Sequence, residues 1–212
     1  FFGKSLALQR AFNLRLEESD NLLQLGDIYR DLGLWEQVFP LYKQSLEIAR
    51  SLKDSLREAA ALGRLGNLYQ QYPLGDRANN LEEAIASYNV AFTVYTRDAF
   101  PEDWAMTQNN LAIAYSNRIR GYKADNIERA IITHYTAALS VLTRDAFPQD
   151  WALTQNNLGV AYSNRIWGEK ADNIEMAKKC YENALTVRTR EAYPQEHTET
   201  LFNLDNLDRS NQ

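Results

Sequence analysis

The chain has 212 residues, 45% of them hydrophobic and 24% charged, with a formal net charge of −5 and no lysine or arginine block. That balance is ordinary for a globular chain and supplies an extended core, but it argues against nucleic acid as a partner, because phosphate binding needs a basic stripe to displace counterions. A single cysteine, Cys180, excludes an internal disulfide; no stretch has the length of a transmembrane helix and no charged-then-apolar leader is visible, so a cytoplasmic protein with no membrane partner is expected.

Glycine (9) and proline (5) are scarce and β-branched runs are few, which points to an all-α chain of about ten helices. The first residues, Phe1-Phe2-Gly3, lack an initiator Met and predict that further sequence precedes them. Helices are expected at 3–17 and 20–32, the second ended by Gly33, then at 35–52 and 54–71. Tyr72-Pro73-Leu74-Gly75 breaks the chain before a helix at 79–97. The remaining helices are predicted at 102–120, 125–144, 149–167, 172–190 and 196–208. Pro101, Pro148 and Pro194 each sit at a helix start, where a missing N–H costs nothing. Asp125…Glu128 and Asp172…Glu175 have capping-box spacing, and Asn79…Glu82 repeats it more weakly. The last helix carries Leu201, Leu204 and Leu207 and dissolves into Asp208-Arg209-Ser210-Asn211-Gln212, as a solvent-facing cap does.

The chain repeats itself. Asp98–Leu111 reads DAFPEDWAMTQNNL and Asp145–Leu158 reads DAFPQDWALTQNNL, at an offset of 47 residues, and the copies continue through AYSNRI and ADNIE. A decayed copy starts at Glu191-Ala192-Tyr193-Pro194, at an offset of 46. Such a period marks stacked units that bury their apolar faces only against neighbours. One solenoid domain over 1–212 is expected: an N-terminal helix at 1–19, repeats at 20–53, 54–98, 99–145 and 146–191, and a capping helix at 192–212.

A small-plus-aromatic signature runs through the first helices as Leu25-Gly26-x-x-Tyr29, Leu65-Gly66-x-x-Tyr69, Leu111-Ala112-x-x-Tyr115 and Leu158-Gly159-x-x-Tyr162. The second helices carry Ala84/Tyr88/Ala91, Ile131/Tyr135/Ala138 and Ala177/Tyr181/Ala184. These residues resemble the tetratricopeptide repeat family, and Asp20–Lys53 matches its 34-residue unit without insertion. The later units are longer at Gly121–Asp125 and Gly168–Asp172. Pro101, Ala105, Thr107, Asn109-Asn110-Leu111-Ala112 and Tyr115 look like the start of a kinesin-light-chain-type repeat, as in large multi-repeat bacterial, particularly cyanobacterial, proteins. The resemblance implies a right-handed superhelical solenoid of antiparallel helix pairs whose first helices line a concave, ligand-binding face.

At a period of 3.6 that face reads Asn109, Ile113, Ser116, Asn117, Arg120 in the third unit and Asn156, Val160, Ser163, Asn164, Trp167 in the fourth. Asn110, Asn157 and Asn203 run beside it, one per repeat. Asparagine is about 0.7 kcal/mol worse than alanine inside a helix, so six of them in two helices forgo on the order of 4 kcal/mol that something must offset. One account is that the amides pair with the backbone of an extended peptide. The other is that Asn110 and Asn157 bond across to the neighbouring helix and hold the pitch. Asn67, after Gly66, resembles a peptide-contacting asparagine of carboxylate-clamp members, although the clamp's lysines are absent. Trp167 is read either as an anchor for a ligand or as packing under the 168–172 loop. Trp104 and Trp151 read as inter-repeat core, and Arg97, Arg144 and Arg190 as helix-end charges complementing the dipole.

Chemistry is sparse. His134 and His197 have no companions at metal-ligand spacing, and neither a phosphate loop nor a nucleophile elbow is present, so no enzyme, cofactor or metal is expected. The reading is a protein-interaction scaffold that binds a peptide segment or partner domain in its groove, as the sensor or adaptor arm of a larger signalling protein. The alternative is a structural or self-associating spacer array without a peptide ligand.

Overall fold

Proline, glycine and asparagine fix where the later helices begin and end. The computed structural model describes residues 2–209, with side chains from Gln9 onward. Its helices are α1 (Phe2–Asp31), α2 (Trp35–Leu52), α3 (Ser55–Gln71), α4 (Arg77–Val94), α5 (Pro101–Asn117), α6 (Lys123–Glu128), α7 (Thr136–Leu139), α8 (Pro148–Ser163), α9 (Lys170–Leu185) and α10 (Pro194–Arg209). A π-helical turn (Arg129–Tyr135) joins α6 to α7, and no strand occurs among the described residues. Pro101, Pro148 and Pro194 do open α5, α8 and α10. Consecutive helices pack as pairs: α1 with α2, α3 with α4, α5 with α6–α7, and α8 with α9, followed by α10. The pairs fall into two compact units, Phe1–Thr96 and Arg97–Gln212.

Each pair contains a buried tyrosine, and in three of the four it lies directly over a glycine, Gly26, Gly66 or Gly159, while Ala112 holds that register in the other. Tyr42, Tyr88, Tyr135 and Tyr181 are all buried. A Cβ on Gly66 would sit 2.5 Å from Tyr88 Cε1, and one on Gly159 would sit 2.6 Å from Tyr181 Cε1. Those distances are inside van der Waals contact, so glycine is what permits this ring position. The core of the first unit gathers Leu23, Val38, Tyr42, Leu46, Leu62, Leu65 and Leu68. In the second unit Trp104 and Trp151 pack around Ala105, Ala138 and Leu142, in the core role expected of them.

The turn into the second helix is a repeated device that the repeat pattern alone does not reveal. Gly75, Gly121 and Gly168 have φ of 79°, 79° and 83°, left-handed values that favour glycine. Five residues on, Asn80, Asn126 and Asn173 donate Nδ2 back to the carbonyls of Leu74 (2.9 Å), Arg120 (2.8 Å) and Trp167 (2.9 Å). The amide thus staples its own turn.

The π turn explains the change of offset. From Asn80 to Tyr88 and from Asn173 to Tyr181 is eight residues, but from Asn126 to Tyr135 it is nine. The extra residue cannot be looped out between buried contacts, so the helix absorbs it as a wider turn. Thr136 consequently donates its backbone N–H to Ile131 O, five residues back, and its Oγ1 donates to the same carbonyl at 2.9 Å.

Several expected boundaries differ. Helices 3–17 and 20–32 are one helix, α1. Glu17-Glu18-Ser19-Asp20 contains no glycine or proline to break it, and Ser19 lies buried inside, its Oγ 2.8 Å from Ser45 Oγ. The capping boxes are not formed. Tyr122 and Glu169 occupy the N-cap positions without a side-chain cap bond, which puts Asp125 and Asp172 inside the first turn. Asp76, not Asn79, caps α4 by accepting from Asn79 N at 2.8 Å. The chain leaves helix at Val94, Leu139 and Leu185, so Arg97, Arg144 and Arg190 lie in connections rather than last turns. Arg97 places its guanidinium 5.7 Å from the Trp104 ring centre instead. The expected C-terminal cap is helical to Arg209, with Leu207 buried; Ser210–Gln212 and the start at Phe1 lie outside the described residues.

Candidate functional site

In the unit Arg97–Gln212 the first helices α5 and α8 and the capping helix α10 present an asparagine system with two parts. The inner part is a ladder. Asn109 and Asn156 are fully buried, at 0% and 1% exposure. Asn109 Oδ1 accepts from Asn157 Nδ2 of the next repeat at 3.5 Å, and Asn156 Oδ1 accepts from Asn203 Nδ2 at 3.2 Å. Asn109 Nδ2 in turn donates to Asn110 Oδ1 at 3.4 Å. Buried amides need partners, and here each repeat supplies the next. Asn110, Asn157 and Asn203 are half-buried between these partners and solvent.

The outer part faces a groove of about 460 Å³. Ile113, Asn117, Asn157, Val160, Asn164 and Asn203 line it, with Lys123 and Glu199 supplying one charge of each sign. Asn117 and Asn164 are exposed, and each donates Nδ2 to the carbonyl one turn back, Ile113 O at 3.0 Å and Val160 O at 2.8 Å. Each Oδ1 is left without a partner among the described residues. The groove therefore offers two fixed acceptors, two half-buried amides and two β-branched side chains.

The other expected residues lie elsewhere. Arg120 and Trp167 are beyond the ends of α5 and α8, where their carbonyls anchor the turn asparagines. Trp167 is 49% exposed. Asn67 belongs to the other unit; it is half-buried and its Oδ1 accepts from the Tyr88 hydroxyl at 2.7 Å.

Two polar clusters escaped sequence reasoning. At the π turn His134 stacks on Tyr115 (centres 5.2 Å apart, planes at 10°) and its Nδ1 is 2.6 Å from Gln108 Oε1. Burial, with the Arg129 cation as the lesser cause, pulls His134 down to about 4, so the ring is neutral at pH 7. The neutral Nδ1–H then donates to the Gln108 carbonyl oxygen. At the last interface Arg188 and His197 stand in the register of Leu142 and Trp151, 46 residues earlier. Arg188 is buried and donates to Thr200 Oγ1 at 3.1 Å, while His197 Nδ1 lies 2.7 Å from Arg188 O. An apolar contact has thus been replaced by a hydrogen-bonded one at the end of the array. The paired change Leu→Arg and Trp→His was the available signal.

Among the described residues no group of three or more His, Cys, Asp or Glu is placed to hold a metal ion. Burial pushes the Cys180 thiol up to about 12, which makes it unreactive. No helix among the described residues is long and apolar enough to cross a membrane.

Comparison with known proteins agrees with this geometry. Residues 17–72 match the family model of the tetratricopeptide repeat. No curated protein matches the chain. Among solved structures, the crystal structure of BtubC (BKLC) from P. vanneervenii is similar, with a TM-score of 0.65 and 22% identity over 96% of this chain and 84% of that one. At that identity the likeness shows the fold. Residues 17–72 thus match the tetratricopeptide repeat, and the helix pairs of the rest of the chain continue a tetratricopeptide-like fold in longer units.

Proposed function

We propose that this chain binds an extended peptide segment of a partner protein in the groove of its second unit. Tetratricopeptide repeats serve broadly as protein-interaction scaffolds, and the finer reading rests on one observation: Asn117 and Asn164. The inter-repeat ladder accounts for Asn109, Asn156, Asn157 and Asn203, which join neighbouring helices. Asn117 and Asn164 bond only their own helices, so packing gives no reason for an amide there. Their open Oδ1 acceptors suit the N–H groups of an extended backbone, while Ile113 and Val160 offer apolar contact between them. Lys123 and Glu199 supply side-chain selectivity within the groove, and the exposed Trp167, beyond the end of α8, offers a further anchor outside it. The work of such a scaffold is positioning rather than chemistry, in a cytosolic signalling or adaptor setting.

A phage-displayed peptide library selected on the chain tests this reading. Selected peptides should lose at least about tenfold in affinity for Asn117→Ala/Asn164→Ala and for Ile113→Glu, with helicity unchanged by circular dichroism. Peptides that bind the variants as well as the parent would contradict it, as would a selection that enriches nothing.

A further inference from the structure

The groove of the second unit contains two cavities built alike. The first, of about 460 Å³, and a second, of about 310 Å³, share Val160, Asn164 and Asn203. Their linings correspond by register. Ile113 and Val160, Ser116 and Ser163, and Asn117 and Asn164 are each 47 residues apart, while Tyr135 and Tyr181, and Asn157 and Asn203, are each 46 apart. The π turn absorbs the extra residue of its helix and so brings Tyr135 to the place that Tyr181 holds in the next repeat. The shared walls are hydroxyl, amide and β-branched groups without charge. Lys123 and Glu199 are added in the first cavity, and Asn206 and Leu207 in the second.

The amide ladder sets the interval between these cavities. Asn157 reaches Asn109 directly, and Asn203 reaches Asn156. Side chains this short meet only between helices packed side by side, so the axes of α5, α8 and α10 follow one another at about 8–10 Å. A chain that fills both cavities must present like-facing side chains at that interval. A β-strand rises about 3.3 Å per residue and repeats its face every second residue, so its like-facing side chains stand about 7 or 13 Å apart. A polyproline II helix rises about 3.1 Å per residue with three residues per turn, so every third side chain returns to one face after about 9 Å. Its backbone groups make no bonds to one another. N–H groups three residues apart are therefore free to meet the open Oδ1 atoms of Asn117 and Asn164.

We infer, building on the peptide-binding reading above, that the groove takes a segment of a partner protein in the polyproline II conformation, one turn per repeat. An uncharged side chain enters each cavity, and the two anchors are three residues apart. Proline suits the positions that face solvent, where its fixed φ holds the conformation before binding. It is excluded from the positions whose N–H meets Asn117 or Asn164.

Library-selected peptides that require Asn117 and Asn164 test the period, with affinity read by fluorescence anisotropy. Alanine replacement along such a peptide should lose at least about fivefold in affinity at two positions three residues apart. One glycine inserted between those positions should cost at least about tenfold, because it turns the second anchor away from its cavity. Proline at the solvent-facing positions should hold or improve the affinity. A variant of the chain gives an independent reading. Ser163 is exposed, so Ser163→Leu narrows the second cavity without entering the core, as circular dichroism would confirm. It should weaken the parent peptide and one of its two single-anchor alanine forms, and leave the other form unchanged. Losses at every second position, an inserted glycine without effect, or both alanine forms weakened equally by Ser163→Leu would overturn the polyproline II inference and leave peptide binding in the groove standing. A library that yields no peptide dependent on Asn117 and Asn164 would remove both.

Discussion

In the unit up to Thr96 the side chain two positions before the glycine under the tyrosine is Arg64, and it reaches back to Asp27 of the preceding repeat at 2.9 Å. In the unit from Arg97 the same register holds Asn157 and Asn203, reaching back to Asn109 and Asn156. Within each unit this position joins successive repeats, as a charged pair in the first and as an amide pair in the second. The charged version is a network, since Asp27 also accepts from the Tyr42 hydroxyl at 2.6 Å and from Arg30 at 3.2 Å. It is partly exposed, so water and salt can substitute for a lost partner. The amide version is buried on one side and has no such substitute. It also leaves the second unit's groove lined by amides, where a peptide backbone can be met by neutral hydrogen bonds.

The largest expected effect comes from breaking the buried version. Asn156→Ala removes a buried amide and strands the Asn203 donor, and should cost about 1–3 kcal/mol in urea unfolding of the second unit. The residue in that register in the first unit is Gly63, where a Cβ would meet no atom within 4 Å, so Gly63→Ala should be neutral or slightly stabilising by the same assay.

Acidification should separate the units next. His134 is held down to about 4, so between its unfolded value near 6.5 and that value the unfolded chain binds a proton that the folded chain does not. The second unit should therefore lose stability as pH falls from about 6.5 toward 4, on the order of 1–2 kcal/mol after allowance for the partial exposure of the ring. His134→Gln should reduce that dependence in thermal melts across the same range.

A smaller effect distinguishes the charged ladder. Asp27→Asn should cost roughly 1 kcal/mol at low salt and less at high salt, because the paired charges are about a quarter to a third exposed. The Asn156→Ala penalty should not change with salt. The smallest effect belongs to Trp167→Ala, expected to shift stability by less than about 0.5 kcal/mol because half of the side chain is already in water. Its effect should appear in peptide affinity instead.

Much of the fold was legible in the repeated words. Proline at the helix starts and the Gly…Tyr wedge each report a local steric need, and both needs survive in the structure. The boundaries were less legible because polar residues resemble breaks. Ser19 shows why that inference fails: a hydroxyl that finds Ser45 can sit inside a continuous helix. The site was legible as a face but not in depth. A period of 3.6 places Asn109 and Asn117 on one stripe, yet one is buried and the other exposed, because depth depends on which neighbouring helix covers the stripe. The Gly-x4-Asn spacing at 75/80, 121/126 and 168/173 is present in the sequence. Its meaning appears only when the asparagine is seen to turn back on its own loop.

The most direct test of the peptide-groove account is hydrogen–deuterium exchange of the chain with and without a library-selected peptide at saturation. The account predicts added protection confined to the segments around Ile113–Asn117, Val160–Asn164 and Asn203, with α1 to α4 unchanged. Protection that falls on α1 to α4, or on connections distant from those segments, would contradict it.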